Sequence, residues 1–162
     1  RTDALTGLAN RRSLHDTLAA ERERALRFGT PLCLIMADLD LFKVVNDTHG
    51  HAVGDDMLRH VAGLLRRELR NVDTLGRIGG EEFCAVLPQA GLEQGLEVAR
   101  RLVERVRATP LRQEDGAALR QTVSCGVARF DGSESVDALL GRADAALYRA
   151  KGAGRDRAVG EE

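Results

Sequence analysis

Two acidic stretches hold the residues best suited to chemistry. The first, ADLDLFKVVND over residues 37–47, follows directly on the apolar run from Leu32 to Ala37. Asp38 and Asp40 stand two apart, so on a continuing strand they share one face. A carboxylate pair at the end of a buried strand costs stability through desolvation and mutual repulsion unless a cation compensates. Lys43 and Asn46 follow within about one helical turn. The bland alternative is a strand exit whose Asp caps the next helix. The second stretch is RIGGEEF, Arg77 to Phe83, where Glu81 and Glu82 adjoin the pair Gly79-Gly80. Consecutive strand residues point to opposite faces, so the two glutamates share a site only where a turn distorts the pleat. Otherwise they are exposed charge. Asp38, Glu81 and Glu82 together would offer hard oxygen ligands from neighbouring strand ends, a set suited to Mg2+ or Mn2+ with substrate phosphates. Neither GxxxxGK[ST] nor a full GxGxxG occurs, which excludes a P-loop and a Rossmann site.

These residues need a frame. Apolar spacing of period 3.6 predicts a helix after Asn10 ending near Phe28-Gly29, and a second through Val53, Met57, Val61 and Leu65 to about Leu69. A third carries Leu92 to Val106 with Pro110 beyond it, and a fourth runs from Val136 to Gly152. Strand-length runs lie at Leu32–Ala37, Thr74–Ile78, Glu82–Leu87 and Thr122–Ala128, with a weak one at Arg157–Val159. Gly79-Gly80 between two such runs signals a hairpin. The expectation is an α/β domain: a mixed central sheet flanked by helices, with residues 109–120 and 129–135 as surface loops.

The 162 residues favour one domain, and 43% hydrophobic with 30% charged residues is the composition of a folded chain. No apolar run nears the ~20 residues of a membrane span, and no secretion signal opens the sequence. A formal charge of −1 gives no global attraction to nucleic acid polymers or acidic membranes. Cys33, Cys84 and Cys125 lie in separate apolar runs without CxxC spacing, which points to core packing in a reducing, cytoplasmic setting. Of 24 cationic residues only Lys43 and Lys151 are lysine, as expected if those two positions need a compact ammonium rather than a planar fork. The absence of a methionine before Arg1 suggests a piece of a longer protein.

RIGGEEF resembles the signature of GGDEF domains, the bacterial diguanylate cyclases, in the variant with Glu at the third place. DALTGLANRR (Asp3–Arg12) resembles the family's opening DxLTGLxNRR. ADLDLFKVVNDTHGHAVGDD is similar to its hDxFKxxND…GHxxGD block, Ser124–Ala128 to its SxGhA strand, and ADAALYRAKGAGRDR (Ala143–Arg157) to its closing segment. The motifs stand in the family's order over nearly the whole chain. Leu41 replaces a common Phe and His49 a frequent aromatic.

The resemblance implies a palm-like nucleotidyl cyclase fold with GGEEF on a hairpin, and condensation of two GTP into cyclic di-GMP plus two pyrophosphates. It implies divalent metal held by Asp38, the carbonyl of Leu39, Glu81 and Glu82, with Glu81 also the favoured base and Lys43 stabilising phosphate charge. Lys151 and Arg155 match γ-phosphate contacts, although cations at a helix C-terminus also satisfy the dipole. Asn46 and Asp55 match guanine readers; the alternatives are a turn-forming Asn and an Asp near a helix start. Phe42, Gly79 and Gly80 are expected to line the substrate. Arg70 and Asp73 form an RxxD that in the family marks an inhibitory product site, with Arg101 as a further contact; the alternative is an i,i+3 ion pair. Each domain would supply half of the catalytic centre, so the active form is a homodimer, normally brought together by an N-terminal sensory region. The competing expectation is an inactive module that senses GTP or cyclic di-GMP. No histidine is assigned a catalytic role.

Overall fold

The structure, a computed structural model, describes residues 1–161. Its centre is β1 (Leu32–Leu39), buried at every position. A strand covered on both faces has no polar side to show, which is why its sequence is a continuous apolar run. On its two sides β1 pairs antiparallel with β3 (Glu82–Pro88) and β6 (Val123–Arg129). β2 (Thr74–Arg77) extends the sheet antiparallel beyond β3, and β7 (Ala158–Gly160) adds a parallel edge to β6, giving the order β2-β3-β1-β6-β7.

The pleat sorts β1 onto two cores. Cys33, Ile35, Ala37 and Leu39 face α3 (His51–Arg67) and α4 (Leu92–Ala108). Leu32, Leu34 and Met36 face α1 (Arg11–Phe28) and α5 (Val136–Gly152). Asp38 continues the even-numbered series and so emerges on the α1/α5 side. α1 starts where expected: Asn10 Oδ1 accepts from the Ser13 amide at 2.8 Å, and Gly29 closes the helix in the left-handed conformation at φ 65°. Ser135 caps α5 through the Ala138 amide. The three cysteines are buried free thiols, and burial pushes Cys33 and Cys125 up to about 12, which keeps them inert.

Three local features depart from the sequence reading. An eight-residue helix, α2 (Phe42–His49), stands alone before α3, with Gly50 at φ 91° turning the chain between them. Residues 109–120 contain a small antiparallel pair, β4 (Leu111–Arg112) and β5 (Ala118–Leu119), rather than loop alone. The Gly79-Gly80 turn is wider than a two-residue hairpin: the Ile78 and Gly79 amides both donate to the Glu82 carbonyl, leaving Glu81 inside the turn.

Candidate active site

The site grows from the register of two strands. Asp38 on β1 is paired with Glu82 on β3, and even numbering puts Glu82 on the same face as Cys84 and Val86. Glu81 reaches the same edge by a different route, through the turn, where its carbonyl accepts from the Leu39 amide at 3.2 Å. This is the distortion that lets two consecutive glutamates converge. Gly79 makes room for it, since a Cβ there would lie 2.6 Å from Glu82 Oε1. The Gly80 carbonyl is held by the Arg77 guanidinium at 2.8 Å, and Arg77 in turn donates to Asp3 at 3.1 Å.

The electrostatics of this edge are unfavourable as they stand. Burial pushes the Glu81 carboxyl upward, and the neighbouring charge of Asp38 pushes the same way; Lys151 opposes them. Glu82 is raised by burial and then by Asp38 and Asp144, against Lys151 and Arg11. Asp38 is 5% exposed, its Oδ2 accepts from Lys151 Nζ at 2.5 Å, and its Oδ1 is buried without a hydrogen-bond partner. A buried carboxylate oxygen without a donor calls for a cation. Among the described residues no three His, Cys, Asp or Glu side chains form a ready cage. Carboxylate oxygens are the donors that a hard divalent cation takes.

Asp40 plays a different part from Asp38. Its carboxylate is 7% exposed and accepts from Thr122 Oγ1 (2.8 Å), Ser124 Oγ (2.7 Å) and the Asp156 amide (3.0 Å). With both oxygens so occupied it is no free ligand. Next to it Leu41 takes a left-handed φ of 54° and leads into α2, whose first amides have no side-chain cap. Uncapped amides at a helix start are donors for anions.

The remaining expected residues are placed as follows. Lys43 is exposed on α2 and pairs with Asp47 at 2.8 Å. Phe42 is 5% exposed and packs in the core. Asn46 lies over Gly54, where any Cβ would stand 1.8 Å from its Oδ1, and the next residue, Asp55, is exposed on α3. Gly54 thus lets Asn46 of α2 pack closely against α3. Arg155 sits in the loop after α5 at φ 63°, on a cleft of about 540 Å³ that also takes in Leu41 and Val44. Away from this edge, the Arg70 guanidinium donates to buried Asp73 at 2.7 Å and to the Pro88 carbonyl at 2.8 Å, while Arg101 pairs with Glu68. Sequence reasoning missed Arg11 and Asp144, which flank Glu82 from two helices; nothing in their local sequence announces it. The hub role of Asp40 had a signal, its spacing of two from Asp38.

The family profile described as diguanylate cyclase, GGDEF domain, matches residues 1–157. Diguanylate cyclase DgcP of Pseudomonas aeruginosa is 46% identical over 156 residues, 96% of this chain and 23% of that protein. Response regulator PleD of Caulobacter vibrioides is 40% identical over 162 residues, 99% of this chain and 36% of that protein. The chain therefore spans between 23% and 36% of the length of these two curated relatives. The GGDEF domain of DgcB from Caulobacter crescentus, solved in complex with c-di-GMP, superposes with a TM-score of 0.95 at 35% identity, covering 98% of this chain and 92% of that one. The mixed sheet and its helices are thus the palm-like cyclase fold, and the chain belongs to the GGDEF domain family of diguanylate cyclases.

Proposed function

We propose that residues 1–162 form one GGDEF domain that condenses two GTP into cyclic di-GMP, in the cytoplasm, with two copies of the chain facing each other. One observation carries the reading: Asp38, Glu81 and Glu82 converge at one sheet edge with Lys151, and an oxygen of Asp38 is buried without a partner. Asp38, the Leu39 carbonyl, Glu81 and Glu82 would hold Mg2+ or Mn2+, which when bound neutralises developing charge on phosphate oxygens.

The chain's own residues account for the rest. In each half-reaction a 3′-oxygen forms a bond to the α-phosphorus of the other GTP, and the bond to pyrophosphate breaks. The hydroxyl proton goes to Glu81, whose carboxylate stands at the same strand end as Asp38 and Glu82. The α2 amides, Lys43, Lys151 and Arg155 hold the phosphates. Asp55 with Asn46 accepts from the N1–H and amino group of guanine, a donor pair adenine lacks, so an adenine would leave the carboxylate unpaired. A single domain holds one set of these groups and the reaction needs two, which supports a homodimer. Product would bind Arg70, Asp73 and Arg101, with the Arg70–Asp73 pair opening toward phosphate and guanine. The reading is supported by c-di-GMP bound to the DgcB domain. No helix among the described residues is long and apolar enough to cross a membrane.

Incubation with GTP and Mg2+, with products resolved by chromatography and mass, tests the proposal. Cyclic di-GMP and pyrophosphate are expected from the native chain and neither from Glu82→Ala. GTP bound but unconverted, even by a chain fused to a dimerising segment, would overturn catalysis and leave a nucleotide sensor.

A further inference from the structure

Asp40 stands beside the proposed metal carboxylates, yet it makes no contact with Lys151 and is spent on neutral donors. Those donors come from two places. Thr122 and Ser124 belong to the start of β6, while the Asp156 amide belongs to the loop after α5. The backbone joins in: the Asp40 amide donates to the Thr122 carbonyl at 2.9 Å, and Gln121 Nε2 donates to the Asp40 carbonyl at 2.8 Å. Asp40 is therefore bonded by side chain and main chain to the segment entering β6 and to the loop after α5.

The loop it grips is strained. Arg155 and Asp156 are consecutive non-glycine residues at positive φ, 63° and 51°. Such conformations persist only where surrounding bonds over-determine them, and they gather at functional sites. Here the bonds are explicit. The Arg155 amide donates to the Ala150 carbonyl at 3.0 Å, its carbonyl accepts from Arg157 Nε at 2.9 Å, and the following amide donates to Asp40. Asp156 is further anchored by Arg107 at 2.9 Å. The Arg155 guanidinium itself has no hydrogen bond or ion pair among the described residues. Its backbone is clamped and its charge is left free.

Resting on the cyclase reading above, we propose that Asp40 is a positioning residue for the triphosphate. Its carboxylate ties the β1–α2 turn to the loop after α5, so that Arg155 and the uncapped amides of α2 form one preorganised cradle for the terminal phosphate. Asp38 and Asp40 thus divide the labour of their shared face. Asp38 is left open to a cation, and Asp40 holds in place a cation of the protein.

The test uses 3′-deoxy-GTP and 3′-deoxy-GDP, which lack the attacking hydroxyl, with affinities measured by calorimetry in Mg2+ for the native chain, Asp40→Asn, Arg155→Ala and the double variant. Asp40→Asn keeps the shape but removes the charge, so the bonds from Thr122, Ser124 and the Asp156 N–H lose their anionic acceptor. The preference for triphosphate over diphosphate is expected to fall about tenfold in Asp40→Asn, and by less than about twofold more when Arg155 is already Ala. A general loosening would instead weaken both nucleotides alike, or act equally with and without Arg155; either result overturns the proposal. Should Asp40→Asn lose its cooperative melt, Thr122→Val, which removes one donor from the same oxygen, is expected to lower the preference in the same direction, and an unchanged preference there counts against the proposal. Failure of the native chain to bind either nucleotide would overturn the cyclase reading first, and this inference with it.

Discussion

Glu81 and Glu82 show what the site costs. Both carboxyls are raised by burial and by Asp38, so the folded chain binds protons more readily than the unfolded one. Without metal, stability should therefore rise as pH falls through their folded values, the gain being complete below the ordinary glutamate value of 4.5. Glu82→Gln should raise the stability of the metal-free chain by about 0.5 kcal/mol, discounted for solvent screening, while abolishing turnover; thermal melts with and without Mg2+ check this. Asp3 has the opposite sign. Burial raises its carboxyl, but hydrogen bonds from Thr6 and Arg77 outweigh it and hold the group below 3.8. Its contribution is present above 3.8 and is lost as pH falls through the lower folded value. Asp3→Asn should cost about 1 kcal/mol at neutral pH in a denaturant titration, because an anionic acceptor becomes a neutral one. At the guanine end, Asp55→Ala should reduce the preference for GTP over ATP at least about tenfold in competition binding. Asp38, Glu81 and Glu82 were legible in the sequence because acidic groups at a strand end and beside a double glycine contradict the surrounding apolar pattern, whereas Asp55 was named only through the family resemblance. The partners that tune Glu82 were not legible, since Arg11 and Asp144 reach it only after two helices have packed.

The elements deliver these side chains through close approaches that glycine allows. α5 lies so near β6 that a Cβ on Gly126 would stand 2.2 Å from the Leu147 amide and 2.3 Å from the Ala143 carbonyl. Backbone atoms cannot move aside as a side chain can. Gly126→Ala should shift α5, costing about 2 kcal/mol in chemical denaturation and weakening nucleotide binding, because α5 carries Lys151. The long helices were readable from their periodicity and, for α1, from its cap Asn10. α2 was not, because eight residues entered from a left-handed Leu41 without a side-chain cap give little periodicity and no start signal. β4 and β5, two residues each, are too short for alternation to show. The width of the GGEEF turn escaped for a related reason: Gly79-Gly80 marks a turn, but the bonds to the Glu82 carbonyl that place Glu81 inside it depend on tertiary pairing with β1.

At the scale of the whole molecule, one sheet edge gathers the acidic groups of β1 and the hairpin, the cations of α5 and the donors of α2. A formal charge of −1 leaves no long-range field to drive copies of the chain together. Encounter would depend on concentration and on the two nucleotides held between the domains. The most direct measurement is the initial rate of cyclic di-GMP formation per chain, at saturating GTP and Mg2+, across a dilution series of the protein. This specific rate is expected to climb with chain concentration toward a plateau as half-sites pair. A specific rate that stays constant down to concentrations at which the chain sediments as a monomer would contradict it, because one copy would then suffice for the whole reaction.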